Sequence, residues 1–353
     1  LATADASQVQ AIAPDANATP SVTQTLQLVG GTTRFTYTLV TSNPGAQFTL
    51  NDTSAPFLTQ GLSSAFIIGS GAAVKLQILA PNEAPAPGTA LGKTGVVAAQ
   101  TAGTAFKVTV SAVDSFNNIV TGDLSTVGLT TNDPFDIEPA NRQLLSGTTT
   151  LSPVLVTGGT RTITAFDAVG PLLSAGTSVF VGPGAPARYQ VLLPGESSLA
   201  GSPSGKTGAA SVQLAGDVFL VTVNLTDSYF NRVNVHPAAS VLLSPTLDLY
   251  ASPALWQPNN PQTLSQGQAV YTAVSLKSAA TGHTLIAVDP SAGYTPNTSS
   301  TMTVTANTAT GLIVTLPGET QVDGKNTAPV GRTGSVSTQT VGVPFTATAY
   351  AVD

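Results

Sequence analysis

The chain has no cysteine, one methionine, one tryptophan and two histidines in 353 residues. Without cysteine there are no disulfides to brace a small core and no thiolates for a zinc or iron–sulfur centre. Charge is also scarce. Twelve Lys and Arg with 18 Asp and Glu make up 8% of the chain, against roughly a quarter in ordinary soluble domains. Twelve basic residues over this length cannot form the stripe that a nucleic-acid backbone requires, and no basic amphipathic helix suits a membrane surface. No apolar run approaches the ~18 residues of a membrane-crossing helix. His236 and His283 stand without a second ligand at metal spacing, and no Ser-His-Asp set or recurring paired carboxylates mark a reaction centre, so no enzyme is expected.

What is present is apolar, small and repetitive. Hydrophobic residues reach 42%, with 33 Gly and 25 Pro, and the net charge is only −6. That composition is too hydrophobic and too weakly charged for disorder. The stretch GKTGVVAAQTAGTAFKVTVSAVDSFNNIVTG (92–122) returns as GKTGAASVQLAGDVFLVTVNLTDSYFNRV (205–233) and begins again as GRTGSVSTQTVGVPFTATAYAVD (331–353). Asp114, Asp227 and Asp353 hold matching places, 113 and 126 residues apart. KLQILAPNE, YQVLLPGE and LIVTLPGE precede them in the same order, and AQFTLND, RTITAFD and HTLIAVD close successive copies. A fixed long period of this kind is the signature of a module array.

Alternation of apolar and polar residues, β-branched enrichment and Gly/Pro punctuation predict strands at 33–41, 46–52, 64–71, 74–81, 105–114, 125–133, 148–156, 160–167 and 177–182. The same scheme repeats at 217–227, 239–248, 268–276, 283–289 and 300–306. The fold class is all-β: tandem immunoglobulin-like β-sandwich domains of about seven strands each, arranged as an elongated array. The boundaries are 1–72, the later part of one module; 73–184 and 185–307, complete modules; and 308–353, the earlier part of another. An insert near 249–263 is expected as a surface excursion. LATAD (1–5) aligns with LTTND (129–133), so the chain opens and closes in mid-module. It is read as a window from a longer polypeptide, or as one whose ends complete each other between subunits.

AGTAFKVTVSAVDSFNNIVTG resembles the A-G-x-x-F-x-V-T-V-x-A-x-D-x-x-x-N pattern of bacterial immunoglobulin-like repeats of the invasin and filamin type. Such repeats occur in tandem in very large surface proteins, adhesins and cell-surface filaments. The resemblance covers both complete modules and both partial ones, and implies a fold rather than a function. The turn residue is Asn117 in one copy and Phe230 in the next. A left-handed backbone suits Asn but not Phe, so the second turn is expected to differ.

Four sets of residues invite a functional reading. GKT at 92–94 and 205–207 is not a phosphate loop: G-x-x-x-x-G-K-S/T needs its first glycine one residue further away and a helix to follow. One acid and one base recur as Glu83 with Lys93, Glu196 with Lys206 and Glu319 with Arg332. They are read either as a loop-stapling salt bridge or as a contact between modules or chains. Asp114 with Asn118, and Asp227 with Asn231, are read as Asx turns or as oxygen ligands for Ca²⁺, the one cofactor considered. Trp256, Tyr250 and Tyr271 form the only local aromatic cluster, and are read as packing or as a sugar contact. A module-wide Lys–Asn cross-link is not supported, because Lys75 corresponds to Arg188 and Gly311.

These observations lead to the expectation of a structural repeat region of a large extracellular bacterial filament, stalk or sheath. The expected partners are copies of the same chain, with neither nucleic acid nor membrane insertion. The alternative is an adhesin stalk or a carbohydrate-binding surface that meets cell-surface glycans. Four sequons, at Asn17, Asn51, Asn224 and Asn297, allow glycosylation.

Overall fold

A computed structural model describes residues 2, 4–234 and 238–353. Among them there is no α-helix, only a 3₁₀ turn at Pro253–Leu255. The chain divides into two compact units.

In the first unit (Leu1–Gln100, Thr104–Leu155, Gly159–Val181), a three-stranded antiparallel sheet sets Val108–Val113 between Lys75–Leu79 and Thr148–Leu151. It packs on a second sheet in which Gly159–Asp167 lies between Thr126–Thr131 and Ala175–Gly182. The period of two is visible in the burial. Thr177, Val179 and Val181 are buried while Ser178 and Phe180 face outward, as a strand with one covered face requires. Leu76, Ile78, Val108, Val110, Val127, Leu129, Ile163 and Ala165 fill the space between the sheets. This is the immunoglobulin-like sandwich. The same unit holds a four-stranded sheet with Thr23–Gln27, Gln8–Ile12, Thr49–Asp52 and Gly61–Leu62 in spatial order, and the pair Asn43–Ala46 with Phe66–Ile68.

The second unit (Thr101–Gly103, Val156–Gly158, Gly182–Asp353) repeats the arrangement. Val218–Thr226 lies between Arg188–Leu192 and Gln268–Ser275, and Ser240–Pro245 pairs with Leu285–Val288 on the facing layer. Tyr189, Val221, Val223, Leu225, Leu243, Tyr271, Leu276 and Leu285 are fully enclosed in one core. Burial pushes the Tyr189 and Tyr271 hydroxyls well above the ordinary tyrosine value. Beyond this sandwich, Gly311–Thr315 pairs with Thr348–Val352, and Glu319–Gln321 with Arg332–Gly334.

The structure revises several sequence expectations. The alternating segment 33–41 forms no regular strand, although its homologue Thr148–Leu151 does; Thr148–Leu151 is an edge strand held by the ladder of Val108–Val113, and no strand pairs in that way with 33–41. Propensity without a ladder leaves the backbone irregular. Residues 43–45, between two predicted strands, lie within the strand Asn43–Ala46. Register also moves the repeat alignment: Val9 faces Asp52 as Val127 faces Asp167. Asp15, rather than Asp5, therefore corresponds to Asp133. The 249–263 insert is not a mere surface excursion, because its Trp256 is only 3% exposed and belongs to the core. His283 is 1% exposed with Nε2 2.8 Å from the Ser278 carbonyl. His236 lies outside the described residues.

Candidate functional site

The GK/RTG motif builds a hairpin within each module. Lys93–Thr94 pairs with Ala84–Pro85, Lys206–Gly208 with Glu196–Ser198, and Arg332–Gly334 with Glu319–Gln321. Lys93 Nζ lies 2.8 Å from Glu83 Oε1, Lys206 Nζ 3.0 Å from Glu196 Oε1, and Arg332 Nε 3.4 Å from Glu319 Oε1. Each base also donates to a carbonyl of the module's opening strand: Ile78, Val191 and Val314 respectively. Each acid accepts the N–H three residues before it, from Ala80, Leu193 and Leu316. Glu196 illustrates the electrostatics. Burial opposes its charge, but the Leu193 N–H, the Ser300 hydroxyl and Lys206 outweigh it and hold the carboxyl below its ordinary value. All six charged residues therefore pair inside their own module and staple a hairpin to the sheet.

The glycine opening the motif explains its invariance of spacing. Gly92 has φ +70°, and an added Cβ would sit 2.3 Å from the Asn117 side chain. Gly205 meets the Phe230 ring at 2.2 Å in the same way. Contrary to the sequence expectation, Asn117 and Phe230 share one backbone conformation, with φ of 67° and 62°. The reason is tertiary. The Asp227 carboxylate accepts N–H bonds from Tyr229 and Asn231, and the Arg188 guanidinium lies 5.2 Å from the Phe230 ring centroid. These contacts offset a left-handed strain on the order of 1–3 kcal/mol.

The Asp/Asn pairs do the work across segments. In the first unit, Asp114 Oδ1 accepts from Phe116 N and Asn118 N, closing an Asx turn. Its Oδ2 accepts from Gly71 N at 2.8 Å, in the connection that precedes the opening strand. Asn118 Nδ2 donates to the Val40 carbonyl at 2.8 Å, and its Oδ1 accepts from Ser42 N at 2.7 Å. Residues 40–42 precede the Gly71 connection in sequence, so the turn of one module grips both a loop of the earlier one and the link between them. The second unit repeats it. Asp227 Oδ2 accepts from Gly184 N at 2.8 Å, while Asn231 bonds the Val156 carbonyl and Gly158 N. Asp353 Oδ2 accepts from Asn307 N, again at 2.8 Å.

A second contact accompanies this latch. Asn17 Nδ2 lies 3.4 Å from Thr41 Oγ1 and 3.5 Å from the Pro87 carbonyl. Gly88, with φ +79°, lies so near them that a Cβ would come within 2.3 Å of Thr41 Oγ1. In the second unit Ser278 Oγ donates to the Asp323 carbonyl, and a Cβ on Gly324 would meet Ser278 Oγ at 2.5 Å. The gripped loop is itself held by a buried carboxylate. Asp15 accepts from Asn17 N, Val40 N and Thr41 N. Asp248 accepts from Tyr250, Ala251, Lys277 and Ser278 N–H groups. Burial opposes the charge of Asp15, Asp114 and Asp248, but the converging donors prevail and all three sit below the ordinary aspartate value.

The structure thus gathers Asp114, Asn118, Asp227 and Asn231 at latches whose oxygens face N–H donors. Among the described residues no group of three or more His, Cys, Asp or Glu could hold a metal ion. Trp256 and Tyr271 are 3% and 0% exposed, with the Tyr271 hydroxyl donating to the Val241 carbonyl, so neither ring offers a face to a sugar. Tyr250 is half-buried. Sequence reasoning missed Asp15 and Asp248, because the misplaced alignment set Asp5 rather than Asp15 against Asp133. It also missed Gly71, Gly88 and Ser42, whose roles depend on contacts far along the chain.

No family model and no curated protein matches the chain. Among solved structures it is similar to domains 1–6 of the surface layer protein SbsC, at 13% identity and TM-score 0.25, covering 82% of this chain and 36% of that one. It is similar to the fibronectin(III)-like modules of Clostridium thermocellum CbhA, at 12% identity and TM-score 0.19, covering 65% and 94%. It is also similar to Bacteroides uniformis beta-glucuronidase 3, at 15% identity and TM-score 0.23, covering 57% and 23%. The chain therefore spans about a quarter to a third of the surface-layer and glucuronidase chains, and at such TM-scores nothing about its activity rests on them.

Proposed function

We propose that the chain is a load-bearing segment of a long extracellular bacterial filament, stalk or sheath, built from surface-type immunoglobulin-like modules and without catalytic activity. The observation that carries this reading is the recurring latch. Asp114, Asp227 and Asp353 each take the N–H of the preceding connection at 2.8 Å, and Asn118 and Asn231 each bond a carbonyl and an N–H of an earlier loop. A flexible spacer has no use for buried, bonded polar groups such as Asp114, Asn118, Asp227 and Asn231 at its joints, since each such group is costly unless satisfied. Satisfied, they fix the orientation of successive modules and transmit load from one to the next. The low charge fits surfaces covered by neighbouring copies, because lysine and other charges are the usual means of keeping sheet edges apart.

Electron microscopy of the native material at low concentration tests the proposal. Ordered fibres with an axial repeat of one or a few modules are expected. Isolated, freely bending beads would overturn the load-bearing role and favour a flexible adhesin stalk.

A further inference from the structure

Charge is divided unevenly between the two sheets of each complete sandwich. In the first, the sheet built on Val108–Val113 bears Lys75 and Lys107 on its outward side, and the Glu83–Lys93 hairpin is stapled to it. In the second, the matching sheet bears Arg188 and the Glu196–Lys206 hairpin. The opposite sheet of the first sandwich differs. Along Gly159–Asp167, Ile163 and Ala165 point into the core, so Thr160, Thr162 and Thr164 face outward. Thr130 extends this face opposite Thr164, and Ser178 and Phe180 extend it opposite Thr162 and Thr160. No Asp, Glu, Lys or Arg occupies an outward position on these three strands.

The second sandwich repeats this with other residues. Its corresponding strands, Ser240–Pro245, Leu285–Val288 and Met302–Thr305, contain no charged residue at all. Their buried positions alternate with Leu242, Ser244, Ile286, Val288, Thr303 and Thr305 on the outward side. What recurs is neutrality, not residue identity. Soluble surfaces ordinarily carry about a quarter to a third charged residues, and charge is a usual means of keeping sheets from associating. In both sandwiches that protection is present on one sheet and absent from the other.

We propose that these charge-free faces pack against the same faces of a second copy of this chain, sheet on sheet. This rests on the filament reading and names its lateral contact. The chemistry of the rows favours another sheet over a sugar. They are mostly β-branched or small side chains, and Phe180, 56% exposed, is the one exposed ring among them. A row of that kind interdigitates with its like at a sheet spacing of about 10 Å, but gives a glycan little to stack on. The area sets the strength. A middle strand of nine residues at ~3.3 Å per residue, across three strands ~4.8 Å apart, covers roughly 400 Å². A stable contact takes about 800 Å² from each partner. One face alone therefore binds weakly, and the contact gains strength as several faces of two chains engage together.

Sedimentation of the full chain over a range of concentrations tests this with two double variants, Thr162→Lys with Thr303→Lys and Thr162→Asp with Thr303→Asp. Thr150→Lys, exposed on the opposite sheet of the first sandwich, is the control. The unaltered chain should self-associate and withstand added salt, since no ion pair holds the contact. Each double variant should associate at least about tenfold more weakly at an unchanged melting temperature. An equal mixture of the two should associate again, because each face meets its own kind with opposite charge. The control should match the unaltered chain. A chain that stays single throughout, association abolished by salt, or equal weakening by Thr150→Lys overturns the proposal. So does a chain that stays single yet sediments with cellulose and loses this in both double variants, which assigns the face to a neutral glycan. Electron microscopy separates the proposal from the reading beneath it: ordered fibres that never lie side by side, in the unaltered chain or the variants, overturn the lateral contact and leave the load-bearing role standing.

Discussion

Replacing Asn118 by alanine removes one latch without touching the sandwich core. The side chain's bonds to the Val40 carbonyl and from Ser42 N are lost, together with the forked contact of Nδ2 with Asp114 Oδ2 at 3.0 Å and Oδ1 at 3.2 Å. With the forked contact counted once, each of the three interactions is worth about 1 kcal/mol net, and half-buried Ser42 regains some of its loss from water, so about 2–3 kcal/mol should leave the junction. The readout is native-state hydrogen exchange at the Ser42 amide, which should quicken about 30- to 150-fold, at 1.4 kcal/mol per tenfold. Exchange at Val110, central in its sheet, should change far less. Asn118→Asp separates charge from shape. It keeps an acceptor for Ser42 N but sets a second carboxylate against Asp114, so near neutral pH it should be worse than alanine, and the gap should narrow toward pH ~5 as the pair takes up a proton. An unchanged Ser42 rate in both variants, or equal acceleration throughout the sandwich, would refute the latch.

The remaining expectations concern single sites. Gly88→Ala places a Cβ 2.3 Å from Thr41 Oγ1 at φ +79°, so it should weaken the same junction by about 1–3 kcal/mol, read as faster exchange at residues 40–42. Ser111→Asn should stabilise the first sandwich by about 1 kcal/mol in urea unfolding: Gln77 Oε1 is buried without a partner, and at the matching place Asn224 Nδ2 donates to Gln190 Oε1 at 2.9 Å. Trp256→Ala should cost about 3–5 kcal/mol as a core truncation, with a fall in melting temperature; unchanged stability would contradict its burial. Acid should unfold the chain through depressed carboxyls. Asp15, Asp114, Asp248 and Glu196 sit below their ordinary values of 3.8 and 4.5, so their stabilisation is complete above those values and disappears as pH falls through the lower folded ones. Asp136 works oppositely, burial having raised it. A denaturant midpoint flat from pH 6 to pH 3 would contradict this balance.

Much of the architecture was legible in the residues. A period of 113 to 126 residues, read off three matching aspartates, established an array, and period-two alternation around Val108, Val110 and Ala112 established strands that bury one face. The recurrence of Glu83/Lys93, Glu196/Lys206 and Glu319/Arg332 marked these charges as purposeful, because a charge-poor chain has few reasons to repeat an acid and a base at matching positions, but left a salt bridge within a module and a contact between modules both open. These features are local or periodic, and such signals survive without coordinates. Tertiary structure decided the rest. Whether Asp114 and Asn118 close a turn, ligate an ion or grip another module depends on Gly71, Val40 and Ser42, up to 78 residues away. Phe230 adopts a left-handed backbone because Asp227, Gly205 and Arg188 surround it, overriding its own preference. Residues 33–41 show the limit most plainly: alternation specifies a strand, but a strand exists only where a neighbouring edge supplies the ladder.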